Sequence, residues 1–137
     1  MKKRTYLLDT NTLIEIARRN MRVMKHLEKV GLERCCISVI SLYELYFGAY
    51  NAPEPYVAQE LASVNMMRQQ FGVLPLPMNG DEYGSIKAKL LKNGEMIDEF
   101  DILIAATAIK EKMIVVTDNI KHFSRIQGIK IENWVND

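Results

Sequence analysis

Short apolar runs alternate along the chain with segments of helical periodicity. A brief run rich in Val, Ile, Leu or Cys and bounded by polar residues is typical of a strand that is covered on both faces. Such strands are predicted at 5–8, 35–39, 72–76, 114–116 and 129–131, with the first at the centre of the sheet. The third is weak because Pro75 cannot donate a ladder hydrogen bond.

Between the strands, apolar residues recur at three- and four-residue intervals, which indicates helices with one inward face. Helices are predicted at 12–19, 22–30, 41–50, 53–70, 79–92 or 81–92, and 98–110, with a short helical turn around 122–123. Thr10 or Asn11 is a candidate cap for the first helix. Ser41 and Glu44 match a capping box that opens the third.

This alternation of strands and helices predicts an α/β fold. We expect a three-layer α/β/α sandwich with a mainly parallel sheet of four to five strands. Residues 1–137 are interpreted as one domain, because the chain is short and contains no linker, internal repeat or low-complexity tract.

The segment 98–119 organises the predicted fold. Acidic residues at 98–101 suit the positive end of a helix, and the apolar residues that follow indicate that this helix is buried. The next strand ends in Thr117-Asp118-Asn119, and the first strand ends similarly in Asp9-Thr10-Asn11. Ligand sites of parallel α/β sheets gather at the carboxyl ends of the strands, so both aspartates are expected on one edge.

Composition and charge are those of an ordinary globular protein, and they do not favour a secreted disulfide-bonded or a membrane-spanning protein. Apolar residues at 48% and charged residues at 26% are ordinary for a globular protein, and a net charge of +1 argues neither for nor against nucleic acid. Cys35 and Cys36 are adjacent in an apolar run, which predicts free thiols and a reducing cytoplasm. No apolar stretch approaches the ~20 residues that span a bilayer, so no membrane association is predicted.

Four acids are candidates for one shared site: Asp9, Glu44, Asp101 and Asp118. Two carboxylates ~4 Å apart repel by ~4 kcal/mol at an effective dielectric constant of about 20, so such a cluster needs a compensating cation. A hard divalent ion with oxygen ligands, Mg²⁺ or Mn²⁺, is the natural choice. Such a site suits metal-assisted hydrolysis of a phosphodiester.

Each acid also has a structural interpretation, and these alternatives remain open at the level of sequence. Asp9 and Asp118 are positioned to cap the helices that follow them. Glu44 can complete the predicted capping box, although Gly48, one turn later, clears the same helix face. Asp101 can be a helix-start charge like the two acids shortly before it.

Other chemistries fit the sequence less well. His26 and His122 lack a partner at the spacing of a zinc site or a nucleophile–base pair, so they are interpreted as surface or packing residues. A phosphotransferase of the haloacid-dehalogenase type would need an acid two residues after Asp9, where Asn11 stands. A response-regulator receiver would need an acidic pair before its phosphoacceptor and a lysine after a late strand, and neither is clear.

Eight methionines and six tyrosines provide more adaptable apolar surface than one small core requires, which predicts a homodimer. One candidate surface is a stripe on the predicted third helix, formed by Tyr43, Tyr46 and Tyr50. The alternative is that this stripe packs into the core. The other candidate surface is a face of the next helix, formed by Leu61, Val64 and Met67.

The candidate acids lie in four segments: Tyr-Leu-Leu-Asp9-Thr-Asn, Ser-Leu-Tyr-Glu44-Leu-Tyr-Phe-Gly, Asp101-Ile-Leu-Ile-Ala-Ala and Val-Val-Thr-Asp118-Asn-Ile-Lys-His-Phe. Glu132-Asn133-Trp134 follows them near the end of the chain. Together, in this order and over nearly the whole chain, these segments resemble the PIN domain. They are most similar to the VapC-type toxins of prokaryotic toxin–antitoxin pairs.

The resemblance implies a small Mg²⁺- or Mn²⁺-dependent endoribonuclease of the prokaryotic cytoplasm. It further implies a dimer, a cognate antitoxin as inhibitor, and structured RNAs such as tRNA or rRNA as targets. The family's first three acids carry over to Asp9, Glu44 and Asp101. The fourth carries over to Asp118, with Asn119 as the alternative position.

Three residues are supporting candidates for the same site: Asn11, Thr117 and Asn119. A different class of function remains as the alternative, namely a catalytically silent PIN-like module that binds RNA or a protein partner. All four acids are present in this chain, which favours the nuclease.

Overall fold

Five strands form one sheet in the computed structural model, which describes residues 3–136. Residues 1, 2 and 137 of the predicted domain lie outside the described residues. The strands are β1 (Tyr6–Leu8), β2 (Cys35–Ser38), β3 (Gly72–Leu74), β4 (Ile114–Val116) and β5 (Lys130–Glu132). All neighbouring strands are parallel, in the order β3-β2-β1-β4-β5. The predicted α/β architecture is confirmed, with β1 at the centre.

Within residues 3–136, seven α-helices connect or follow these strands. They are α1 (Thr10–Ala17), α2 (Met21–Val30), α3 (Val39–Tyr50), α4 (Val57–Gln70), α5 (Asp81–Lys92), α6 (Glu99–Lys110) and α7 (Ile120–Phe123). Two short 3-10 turns lie at Leu32–Arg34 and Glu54–Tyr56.

The two faces of the sheet carry separate hydrophobic layers, because successive residues of a strand point to opposite faces. Leu7, Cys36 and Val115 lie side by side and pack against apolar residues of α5 and α6. Leu8 and Val116 lie on the other face and pack against α1, α2, α3 and α4. The three-layer α/β/α sandwich is therefore confirmed.

Three predicted helix starts, those of α1, α3 and α4, are wrong by a few residues. The Asp9 carbonyl already accepts the Leu13 N–H at 3.0 Å, so α1 begins at Thr10, and neither Thr10 nor Asn11 is its cap. The proline-containing segment predicted to open the fourth helix forms the 3-10 turn instead, and α4 begins at Val57. Proline restricts the conformation of the residue before it, which here delays the regular helix.

The order of the strands creates a switch point beside β1. The chain passes from β1 to β2 and β3 on one side, and then returns to β4 and β5 on the other. In such sheets the crevice at the carboxyl ends of the two strands flanking the switch is the usual place for a ligand. No helix within residues 3–136 has the length and apolarity needed to cross a membrane.

Candidate active site

Asp9 leaves β1 at the switch point and is held by the neighbouring strand. Its backbone N–H donates to the Val116 carbonyl at 2.9 Å, and its carboxylate Oδ2 accepts the Thr117 hydroxyl at 2.8 Å. Asp9 is only 4% exposed and Thr117 is fully buried. Although Asp9 precedes α1, its side chain makes no capping hydrogen bond. The carboxylate is therefore used by the sheet edge rather than by the helix start.

Glu44 reaches the same edge from α3. The Thr10 hydroxyl donates to Glu44 Oε1 at 2.6 Å, which joins α3 to the first turn of α1. The predicted capping box is wrong, because α3 begins earlier and its cap is Ser38, whose hydroxyl accepts the Ile40 N–H at 3.0 Å. The buried Ser41 hydroxyl has no hydrogen-bond partner among residues 3–136.

The acids at the start of α6 have three different environments. Asp98 caps the helix by accepting the Phe100 N–H at 2.8 Å. Glu99 turns towards α5, where it contacts the Tyr83 hydroxyl and pairs with the Lys87 ammonium at 3.1 Å. Asp101 is half-buried and lies near the switch point, apart from these two. Their different positions around the helix axis therefore give different contacts to three acids that the sequence pattern did not distinguish.

Asn119 connects Asp101 to the strand endings. Its side-chain Nδ2 donates to Asp101 Oδ2 at 3.2 Å. Its backbone N–H donates to the Thr117 hydroxyl at 3.0 Å, and that hydroxyl in turn donates to Asp9. A continuous hydrogen-bonded path thus runs from one carboxyl group to the other.

Asp118 occupies the outer part of the edge. Its carboxylate is exposed and accepts the Asn11 amide Nδ2 at 3.2 Å. The helix that follows, α7, has Asn119 rather than Asp118 at its N-cap position. The structure thus brings all seven sequence-predicted candidates to one edge, with Asp118 at its solvent side.

Burial and like charge act together on Asp9. Burial raises the pKa of its carboxyl group, while the hydrogen bond from Thr117 and the nearby Thr10 amide lower it. The charges of Glu44 and Asp118 raise it further. The ionised form is therefore penalised by its surroundings even though one hydroxyl supports it.

Asp101 is perturbed more strongly. Burial is the largest cause and raises the pKa of this carboxyl to about 7, with further contributions from the charges of Asp9, Asp98 and Glu44. The hydrogen bond from Asn119 acts in the opposite direction. Since Asp9 and Glu44 both act on Asp101, the three carboxylates share one electrostatic field.

The donor set at this edge fits a hydrated hard cation. It consists of carboxylate, hydroxyl and amide oxygens, and repulsion among its carboxylates adds to burial in raising the two pKa values above. In residues 3–136 no three Asp, Glu, His or Cys side chains lie close enough to enclose an ion by themselves. Mg²⁺ needs no such cage, because it retains several waters and binds through one or two carboxylates together with substrate phosphates.

Nucleophilic catalysis by cysteine does not fit the structure. Cys35 and Cys36 are free thiols buried in the sheet, on its two opposite faces. Burial raises the pKa of each thiol to about 12, so neither forms a thiolate at neutral pH.

The sequence pattern did not indicate the contacts that Thr10 and His122 make at this edge, because Thr10 was a candidate helix cap and His122 was interpreted as a surface or packing residue. Thr10 holds Glu44, and His122 Nδ1 lies 3.1 Å from the Asn119 amide nitrogen. The only available signal for His122 was its spacing, three residues after Asn119 on a short helical turn. His26 is a packing residue as predicted, because its ring stacks on Trp134 with centroids 5.4 Å apart.

A groove of about 370 Å³ extends from the Thr10–Glu44 contact between α1, α3 and α4. Gly48 lines it one turn after Glu44, and a Cβ placed there would meet no atom within 4 Å. The groove also contains apolar side chains such as Ile14 and Leu45. The missing side chain at Gly48 therefore leaves open space beside the acidic edge.

The two surfaces predicted for a homodimer differ in the structure. Tyr43 and Tyr50 are each 68% exposed, whereas Tyr46 is half-buried and its hydroxyl donates to Asn65 Oδ1 at 2.6 Å. Phe47 adds a further apolar side chain, at 70% exposure, to the exposed part of the stripe. The alternative face on α4 is wrong as an interface, because its three residues pack into the core, two fully and one in part: Val64, Met67 and Leu61.

Comparison with known proteins identifies similar sequences over almost the whole chain. The PIN domain family matches residues 6–129. Ribonuclease VapC2 of Haemophilus influenzae is 35% identical over 132 residues, covering 95% of this chain and 98% of that protein. The tRNA(fMet)-specific endonuclease VapC of Salmonella typhimurium is 33% identical over 130 residues, covering 94% and 97%.

Solved structures agree with the sequence relatives. The crystal structure of DNA-bound VapBC from Salmonella typhimurium superimposes with a TM-score of 0.87 at 32% sequence identity. The match covers 95% of this chain and 98% of that one. The overall fold is therefore shared with a solved toxin–antitoxin complex.

Proposed function

Because the chain belongs to the PIN-domain family, and within it to the VapC ribonucleases, we propose that it is a divalent-metal-dependent endoribonuclease. Its biological role is that of the toxin in a toxin–antitoxin pair. The observation that carries the metal dependence is the path Asp9–Thr117–Asn119–Asp101, which holds two pKa-raised carboxyl groups at the switch point.

Asp9, Glu44 and Asp101 are the proposed catalytic carboxylates, and they would hold the ion directly or through its waters. Asp118 is the proposed fourth acid, placed at the outer side of the edge. When bound, Mg²⁺ or Mn²⁺ supplies charge stabilisation for the phosphodiester and lowers the pKa of a bound water. The carboxylates themselves would orient a water for attack on phosphorus and would keep competing anions away from the edge.

The supporting residues keep these carboxylates in place. Thr117 donates to Asp9, and Asn119 donates to Asp101, so each ligand oxygen has a defined direction. Asn11 performs the same task for Asp118. Partners of this kind typically change metal affinity or activity by ~10–100-fold when removed.

Transfer RNA is the substrate that we propose first, because the Salmonella relative is named a tRNA(fMet)-specific endonuclease. Ribosomal RNA is the second candidate. Purified protein, freed of any antitoxin, should be incubated with total RNA and Mg²⁺, and the product ends mapped. Cuts at one tRNA position, absent with EDTA, are expected. Binding of RNA without cleavage at any Mg²⁺ or Mn²⁺ concentration would instead support the catalytically silent module.

A cognate antitoxin is the proposed protein partner, since the structural relatives are toxin–antitoxin complexes. An arginine of the antitoxin placed among the carboxylates would offset the same repulsion that the metal offsets. Antitoxin affinity should therefore fall as Mg²⁺ rises, and fall sharply for Asp101→Asn. Monovalent salt of equal ionic strength is the control for screening. If Mg²⁺ acts no more strongly than that salt, the inhibitor does not occupy the acidic edge.

We also propose a homodimer formed through the exposed stripe of α3, namely Tyr43, Phe47 and Tyr50. Apolar side chains on successive turns of one helix form a continuous surface that water solvates poorly. Phe47→Glu should yield a monomer in analytical ultracentrifugation. Leu91→Glu, at another exposed apolar side chain, is the control that should remain a dimer. A wild-type monomer at micromolar concentration would contradict the assignment.

Residues 1–137 form a single nuclease domain in this proposal. Its location is the prokaryotic cytoplasm, which the free thiols of Cys35 and Cys36 support.

A further inference from the structure

His122 contacts the candidate site through the side chain of Asn119. The amide nitrogen Nδ2 of Asn119 is 3.2 Å from Asp101 Oδ2 and 3.1 Å from His122 Nδ1. His122 is half-buried on α7, and the neighbouring Phe123 anchors that helix in the core. The imidazole therefore approaches the acidic edge from a helix with a fixed position.

The chemistry of an amide determines which atoms carry the hydrogens. An amide nitrogen has two N–H donors and cannot accept, so Asn119 must donate in both contacts. Asp101 Oδ2 accepts one hydrogen and His122 Nδ1 accepts the other. In this arrangement Nδ1 of His122 carries no hydrogen. With Asp101 ionised, as a metal ligand must be, the reversed amide would place its oxygen against a carboxylate oxygen, with two acceptors facing each other.

Both amide hydrogens of Asn119 are thus used, and its side chain has one orientation. The backbone of the same residue supports Asp9 through Thr117, at 3.0 Å and 2.8 Å for the two successive hydrogen bonds. Asn119 therefore connects the two carboxyl groups, reaching Asp101 directly and Asp9 through Thr117. His122 is the anchor that keeps its amide turned towards Asp101.

We propose that His122 is a positioning residue for the nuclease reaction, acting through the Asn119 amide on the direction of the Asp101 carboxylate. Its kinetic consequence rests on the proposed function, whereas the hydrogen bond itself does not. Partners of ligand carboxylates change metal affinity or activity by ~10–100-fold. His122 acts one hydrogen bond further away, so the lower end of that range, about tenfold, is expected.

Three substitutions separate positioning from packing. In His122→Asn the side-chain Oδ1 takes the place of Nδ1 and can accept the same hydrogen. In His122→Gln the acceptor lies one bond further out, at the level of Nε2, and His122→Leu has no acceptor. Leucine and glutamine should each lower kcat about tenfold with an unchanged KM for RNA, whereas asparagine should retain kcat within about threefold.

His26→Leu is the matched control, because it removes the other imidazole of the chain from its stack on Trp134. We expect wild-type kcat for this variant. If His122→Asn loses as much activity as His122→Leu, the ring acts through its shape and the positioning role is overturned.

Two measurements do not depend on RNA cleavage. A long-range ¹H–¹⁵N spectrum of the metal-free protein, recorded at alkaline pH so that Asp101 is ionised, should show His122 with its proton on Nε2 and a bare Nδ1. Calorimetric titration with Mg²⁺ should show about tenfold weaker binding for His122→Leu and near wild-type binding for His122→Asn. A proton on Nδ1, or equal Mg²⁺ affinity in wild type and His122→Leu, would overturn the role of His122. A wild-type protein that binds Mg²⁺ but cleaves no RNA would overturn the proposed function instead.

Discussion

The two strand endings at the switch point have similar sequences and different environments. Asp9-Thr10-Asn11 follows β1 and Thr117-Asp118-Asn119 follows β4, and the register of these strands makes Asp9 and Thr117 equivalent positions. Both are buried and hydrogen-bonded to each other, whereas Asp118, one residue later, is exposed. Position after the strand, rather than residue type, thus determines which acid faces the interior of the edge.

The third positions of the two endings differ as well. Asn11 donates across the edge to Asp118, whereas Asn119 donates to Asp101 on α6. Asn11 of the first ending therefore holds Asp118 of the second, and Asn119 of the second ending holds Asp101 on α6. This asymmetry predicts unequal consequences when equivalent residues are changed.

Asp9→Asn and Asp118→Asn should give the largest contrast. We expect Asp9→Asn to lower RNA cleavage by ~1000-fold or more, about 4 kcal/mol of transition-state stabilisation, because it removes a buried charge from the proposed metal site. Asp118→Asn should cost less than ~10-fold, because its carboxylate is at the solvent side. Initial rates on a defined RNA at saturating Mg²⁺ measure both. Equal losses would refute the distinction between inner and outer acids.

Melting without metal is the folding control for the same pair. The surroundings of Asp9 raise its pKa, so a neutral amide should leave the metal-free stability of Asp9→Asn unchanged or higher. A clear drop in its melting temperature would favour a structural role for this carboxylate.

Thr117→Val tests the hydrogen bond between the equivalent positions. The hydroxyl donates to Asp9 and lowers the pKa of that carboxyl, so its loss should raise this pKa further and shift the acid limb of the pH–rate profile upwards. A hydrogen bond to a charged group contributes ~1.5–3 kcal/mol, or about 10-fold or more in rate. Thr107→Val is the matched control, a buried threonine whose hydroxyl donates to the Leu103 carbonyl within α6. An identical pH profile in wild type and Thr117→Val would contradict this role.

Asp101 makes the metal-free protein sensitive to pH. Its folded-state pKa, about 7, lies above the ordinary value of 3.8, so the folded state retains a proton that the unfolded state has released. The stabilising contribution is complete below about pH 4 and disappears as pH rises through about 7. Urea denaturation in EDTA should therefore show stability decreasing over this interval, and less so in Asp101→Asn. Parallel curves for the two proteins would exclude this origin.

Gly48→Ala should give the smallest effect. Alanine is favoured over glycine in a helix by ~1 kcal/mol, and a Cβ here would meet nothing within 4 Å, so the melting temperature should rise by about 4 °C. Gly84→Ala in α5 has the same open surroundings and should gain equally. A smaller gain at Gly48 would show that the groove beside Glu44 closes around the added methyl group.

The sequence by itself determined the sheet, its parallel direction and the edge where the polar residues gather. Short apolar runs can be covered on both faces only within such a sheet, and their polar endings must then meet at one edge. Helix starts were less determinate because several side chains can cap one start. Ser38, rather than Ser41, caps α3, so Glu44 is not part of a capping box and instead accepts the Thr10 hydroxyl.

Only the tertiary structure decided which of the adjacent acids on α6 faces the edge. Residues of a helix are ~100° apart around its axis, so Asp98, Glu99 and Asp101 point in different directions once the buried face of α6 is packed on the sheet. The same packing brings Asn119 between Asp101 and His122. The contact between Asn119 and Asp101 joins residues 18 apart in the chain, and its geometry follows from how the apolar surfaces are buried together rather than from any local pattern.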